Sequence, residues 1–235
     1  MFRIKYLRLL ILSPLLCTLI APSAQSQDRA QLQAKIASLR EEIQAKEKAF
    51  LAPSADDLAA FAEFLGKPDT GMARLMPREK YDGKLLIRGG GAYYSFARLT
   101  NEYGYGSDLQ LEQGQLSVGF AGADFGFLAS LGDVAIDSVG SDYPGVRYLA
   151  DFKTPSTEPE AREQQRRAGS GFGADGFIYK NRLIASLNMT YAVRSIDYDV
   201  SDVLVVFKVT RQDADGSLIL VWKILRRFPI PQLVR

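Results

Sequence analysis

At 235 residues, with 29 Lys and Arg against 27 Asp and Glu, the chain has the size of one domain with an appendage and carries a formal net charge of +2. It has no histidine and one cysteine, which excludes a disulfide framework and zinc sites of the usual ligand types.

The first predicted element is an export signal over residues 1–26. Arg3, Lys5 and Arg8 form a basic start, residues 9–20 an apolar run, and residues 21–26 a small-residue stretch. The run is short of the roughly 20 residues that span a membrane. Cleavage is expected after Ser26, with Ala24 and Ser26 at the small-residue positions; lipid attachment at Cys17 is disfavoured by the bulky Leu16 before it. Removal of the signal takes Cys17 with it, ending thiol chemistry, and leaves 26 basic residues against 27 acidic ones, a net charge of −1. A nucleic-acid partner is therefore not expected, and no transmembrane span remains in the mature chain. The expected location is periplasmic or secreted.

Residues 27–52 read as a heptad-like helix. Ile36, Ile43 and Phe50 fall at one core position and Leu32 and Leu39 at the other, with Lys46 interrupting the pattern. Two readings stand open: a short parallel coiled coil that makes a homodimer, or an amphipathic helix lying on its own domain. Over residues 53–83 a short helix is expected, with Ser54 as its cap and Asp56 and Asp57 at its positive end. Leu58, Phe61, Ala62 and Leu65 make its apolar face, and a linker follows from residue 67.

From residue 84 to the end the pattern predicts β-structure, with strands over residues 84–88, 92–99, 115–120, 125–131, 177–180 and 182–193. The clearest pair is a hairpin of residues 203–209 and 218–225 around the turn signal "DADG"; both runs are apolar on both faces, which suits the centre of a covered sheet. Residues 153–176 are almost wholly polar and read as a mobile or functional loop, with a short charged helix near residues 158–167 as the alternative. The expected fold class is α+β: N-terminal helices followed by a mostly antiparallel β-sandwich or barrel-like domain. An outer-membrane barrel is disfavoured by the heptads, the two-faced hairpin and the basic C-terminal end.

The candidate site lies in "RGGGAYYSFARLTNEYGYGSD", residues 88–108. A phosphate loop would need a lysine and a following helix, and neither is there, so the three glycines are expected to bend a strand or admit another backbone. Tyr93 and Tyr94 must point to opposite faces of a strand. Tyr103 and Tyr105, with Glu102, Asp108 and Arg98 beside them, form the candidate ligand-binding surface, an aromatic platform with a polar rim suited to a small molecule, a glycan or a protein segment. Asp197 and Asp199 are expected on one strand face with Asp202 nearby, oxygen enough for calcium, but the calcium-loop pattern is missing and no metal or cofactor is expected. Lys223, Arg226, Arg227 and Arg235 crowd the C-terminal end, read as a solvated strand end or a surface for an anionic partner. The functional expectation is an exported, non-catalytic ligand-binding or protein-interaction protein that dimerises through residues 28–50. The alternative is an exported hydrolase drawing its carboxylates from Glu102, Asp108, Asp197 and Asp199.

Overall fold

A computed structural model describes residues 24–104 and 106–234. Most of the expected export signal, the expected site residue Tyr105, and Arg235 lie outside the described residues. The chain divides into two compact units, Met1–Glu41 and Glu42–Arg235.

In chain order the elements are α1 (Ala24–Phe50), α2 (Ala55–Ala60), α3 (Ala62–Leu65), β1 (Thr70–Leu75), α4 (Arg78–Tyr81), β2 (Tyr93–Tyr94), β3 (Leu109–Glu112) and β4 (Gln115–Ser117). They continue with β5 (Phe125–Gly132), α5 (Arg147–Asp151), α6 (Glu158–Ser170), β6 (Phe172–Ala174), β7 (Phe177–Tyr179), β8 (Arg182–Ile184), β9 (Thr190–Asp197), β10 (Ser201–Gln212) and β11 (Leu218–Arg227). The first unit contains the larger part of α1, where Leu32, Ile36 and Leu39 are exposed. In the second unit the end of α1 is tied down by Glu47, a buried carboxyl that accepts a hydrogen bond from the Leu86 N–H, and by buried Leu51 just beyond the helix.

The second unit has few helices and several antiparallel sheets. Five strands pair in the order β1-β11-β10-β9-β5, four in the order β2-β3-β4-β8, and two as β6-β7. The hairpin β10–β11 sits inside the largest sheet, flanked by β9 and β1, as its two-faced apolar sequence demands. One face of that sheet, with Phe125, Phe127, Ile196, Leu204, Val206 and Val221, packs with residues of α5 and α6. The other face, with Tyr191, Val193, Val205, Phe207, Leu220 and Trp222, shares a core with the four-stranded sheet, which contributes Tyr94, Leu109, Leu111 and Leu116.

Several local expectations need correction. Residues 67–83, read as a linker, hold β1 and α4, and β1 pairs with β11 over its whole length. Gly71 belongs there because a Cβ would lie 2.2 Å from the Trp222 ring opposite it. Residues 84–88 form turns, and only Tyr93–Tyr94 of the run 92–99 is strand. The bend that causes this is Gly89, Gly90 and Gly91, all at positive φ, with a Cβ at Gly90 placed 2.3 Å from the Tyr81 carbonyl oxygen. Residues 182–193 are two strands rather than one, β8 in the smaller sheet and β9 in the larger. In the polar stretch 153–176 the charged-helix alternative is the one found: α6 buries Ala161 and Ala168 against β5 while its charged residues face out.

The alternation along β9 puts Arg194 into the helix-covered face, where it is 2% exposed. Its Nε and Nη2 each donate to Asp202 at 2.9 Å, and Nη1 donates to the carbonyl oxygens of Leu149 and Phe152 at 2.7 and 2.8 Å. Thr154 accepts from Nη2 and donates to Asp202, and the guanidinium lies 3.6 Å from the Phe228 ring centre. Every arm of the fork is used, so the cost of burying the charge is offset where it is incurred. Arg194→Ala leaves Asp202 buried without its cation and should cost about 3–5 kcal/mol in urea unfolding. Arg194→Met with Asp202→Asn should lose less than Arg194→Met alone; equal losses would remove the pairing argument.

Candidate functional site

The opposite face of β9 carries a different chemistry. Ser195 and Asp197 point away from Arg194 toward the four-stranded sheet, and both are buried. Asp108, on the loop leading into β3, is fully buried beside them. The Phe96 N–H holds its Oδ2 at 2.7 Å, while Oδ1 finds no hydrogen-bond partner among the described residues. Ser195 Oγ donates to Asp197 Oδ2 at 3.4 Å. No lysine or arginine is paired with either carboxyl among the described residues.

Burial first, then the charges of Asp108 and Asp124, push the Asp197 carboxyl up to about 9. Burial also raises Asp108, to about 6, against the pull of Ser195 and of the Phe96 N–H, which favour its ionised form. The two act as one system that keeps a proton at neutral pH.

Above them opens a cleft of about 210 Å³. Arg88, Tyr103, Ser107, Phe120, Asp124 and Asp197 are among the residues that line it. The loop is held by a reciprocal pairing: Tyr103 N–H donates to the Arg88 carbonyl at 2.7 Å, and Arg88 Nε donates to the Tyr103 carbonyl at 2.6 Å. The Arg88 guanidinium lies 5.7 Å from the Tyr103 ring centre, and that ring packs at 4.5 Å on Tyr93, which meets Phe120 edge-on at 5.4 Å. The three rings thus brace one another, Tyr93 buried between the other two. Asp124 is half-buried; its Oδ1 accepts from the Tyr198 N–H at 3.0 Å, and burial raises its carboxyl above the usual range.

Of the residues predicted for the site, Tyr103 lines this cleft and Asp108 lies beneath it. Arg98 and Glu102 are exposed and line a separate depression of about 120 Å³ that shares Tyr103 and Arg88. Tyr93 and Tyr94 do divide between two surroundings, Tyr93 with Tyr103 and Tyr94 with Phe96 and Trp222. Asp197 and Asp199 do not share a strand face as expected. Asp199 sits in the hairpin turn at φ 62°, past the end of β9, and Asp202 faces Arg194 on the other side of the sheet from Asp197. Among the described residues, no three His, Cys, Asp or Glu side chains form a group that could hold a metal ion. At the basic C-terminal end Arg227 pairs with Asp69 at 2.5 Å, and Arg226 and Lys223 donate to backbone carbonyls. Sequence reasoning did not single out Arg88, Ser107, Phe120 or Asp124; Arg88 precedes β2, Ser107 precedes β3, and Phe120 and Asp124 share the loop between β4 and β5.

No protein-family model matches the chain, and neither a curated protein nor a solved structure does. The cleft has aromatic rings and a carboxyl that holds a proton at neutral pH, a lining that suits a small ligand with an apolar body and a polar head.

A carboxyl whose folded pKa lies above its unfolded value of about 4 favours the folded state at low pH, and loses that contribution as pH climbs through the folded value. Asp108 and Asp197 should thus make the fold less stable as pH rises, first through about 6 and then toward about 9. The melting temperature is expected to fall between about pH 5 and pH 9, and Asp197→Asn to flatten the decline in its upper half. A wild-type melting temperature that climbs through this window would contradict the buried acid pair.

Proposed function

We propose that this protein is an exported, non-catalytic ligand-binding protein whose site is the cleft between Tyr103 and Asp197. Its scaffold is a sandwich of the five- and four-stranded sheets, and its N-terminal helix pairs it with a second copy. The observation that carries the binding reading is the half-buried Tyr103 ring, braced by Tyr93 and Arg88, lining one open cleft together with Asp124 and Asp197. In nuclear magnetic resonance titrations with sugars, amino acids and short peptides, one class should shift the amides of Gly104, Ser107 and Phe120 together, and Tyr103→Ala should weaken it about tenfold, the loss of about 1.4 kcal/mol of stacking. Shifts elsewhere, or none with any class, would refute the site.

Export and pairing rest on the basic start with its apolar run and on the exposed leucine and isoleucine stripe of α1. Expressed in a secreting bacterium, the chain should start at Gln27 by mass and scatter light as twice its own mass. An uncut N-terminus removes export, and a monomer removes the pairing. One observation favours a second reading, a hydrolase: Asp197 keeps its proton near neutral pH and shares a cleft with Asp124, as a general acid and its partner would. Turnover of chromogenic glycosides or esters that is lost in Asp197→Asn would support it.

A further inference from the structure

Behind Asp197, which lines the Tyr103 cleft, a buried polar cluster has no cation among the described residues and two acceptors without a donor. Asp108 Oδ1 is one orphan acceptor on a fully buried residue. A second orphan is close by: Ser201 is 7% exposed and its Oγ has no partner among the described residues. Ser201 lies directly across the β9–β10 hairpin from Asp197, so the two side chains share a face. A Cβ at Gly106 would come within 3.8 Å of that Oγ, which places Ser201 under the same loop that carries Ser107 and Asp108. Buried polar groups are rarely left unpaired, and two orphans beside an uncompensated carboxyl pair mark a place where a donor belongs.

Resting on the reading of this cleft as a binding site, we propose that its ligand is a primary amine, whose ammonium group enters between Asp197, Asp108 and Ser201 while an apolar body lies against Tyr103 and Phe120. An ammonium has three donors and no acceptor, and the site offers acceptors on three side chains. It can take the place of the proton that the pair shares at neutral pH, and its body meets aromatic rings that also favour a cation. Two carboxyls and a hydroxyl are fewer oxygens than the six to eight that calcium takes. A neutral alcohol would supply one donor but no positive charge to stand in for the displaced proton.

The other charged groups near the pair do not replace such a ligand. Asp124 and Asp202 add negative charge at Asp197, and Ser195 is neutral. Arg88 holds the Tyr103 carbonyl through its Nε, and Arg98, whose Nε would lie 3.7 Å from a Cβ at Gly106, is exposed. At neutral pH the acid pair keeps one proton, so an entering ammonium displaces it to solvent, one positive charge in and one out.

The probe is benzylamine, titrated into the full purified chain by calorimetry in phosphate and in HEPES, with benzyl alcohol and calcium chloride alongside. Benzylammonium should bind with release of about one proton, and its affinity should rise about tenfold per pH unit between about pH 6 and pH 8. Benzyl alcohol should bind at least about tenfold more weakly. Asp197→Asn replaces a carboxyl that is neutral at this pH by a neutral amide of the same shape, and should weaken benzylamine about tenfold and abolish proton release. The wild-type pH dependence serves as the test if that variant misfolds. Equal binding of amine and alcohol, or amine binding without proton release, overturns the amine reading and leaves the cleft standing. Calcium binding that displaces benzylamine overturns it in favour of a metal. If neither organic probe binds and Tyr103→Ala changes nothing, the cleft reading falls as well.

Discussion

The fork of Arg194 around Asp202 is the interaction on which the rest of this domain depends. It is a buried cation at the centre of the largest sheet, and it reaches out of the sheet to the carbonyls of Leu149 and Phe152 at the end of α5. The chain that covers one face of the sheet is thereby fastened to the strands themselves, by charge-assisted bonds rather than by apolar contact alone. Phe228, stacked on the guanidinium, brings the segment after β11 to the same point.

The two faces of β9 show how environment sets chemistry. On one side a carboxyl is matched by a guanidinium that uses its full set of donors. Three residues along, on the other side, carboxyls are buried with a serine hydroxyl and backbone N–H groups as their only described partners, and burial keeps a proton on them. The first arrangement is closed and structural. The second has orphan acceptors and opens on a cleft, which is why the functional reading settles there.

Much of the framework was legible in the sequence where the signals are local. Ser54 caps α2 as expected, with Asp57 closing a reciprocal cap, and the runs around "DADG" form the central hairpin. Strand β1 was not legible, because proline, glycine and charge surround a short run whose pairing partner, β11, lies some 150 residues away. The cleft was half legible. Aromatic rings near residue 103 are visible as composition, but Asp124, Phe120 and Asp197 reach it only through tertiary folding. Strict alternation through "TYAVRSID" does separate Arg194 from Ser195 and Asp197, and that parity was the one available clue to a buried acid.

That same parity makes β9 intolerant of misalignment. A slip of one residue against β10 would turn Arg194 toward the acid pair and send Asp197 into the aromatic packing around Phe125 and Phe152. An apolar strand can slide by one position and still bury grease against grease, whereas this one would strand a carboxylate and orphan a guanidinium's carbonyl partners at once. The ion pair is therefore a key cut for a single alignment of β9 on β10.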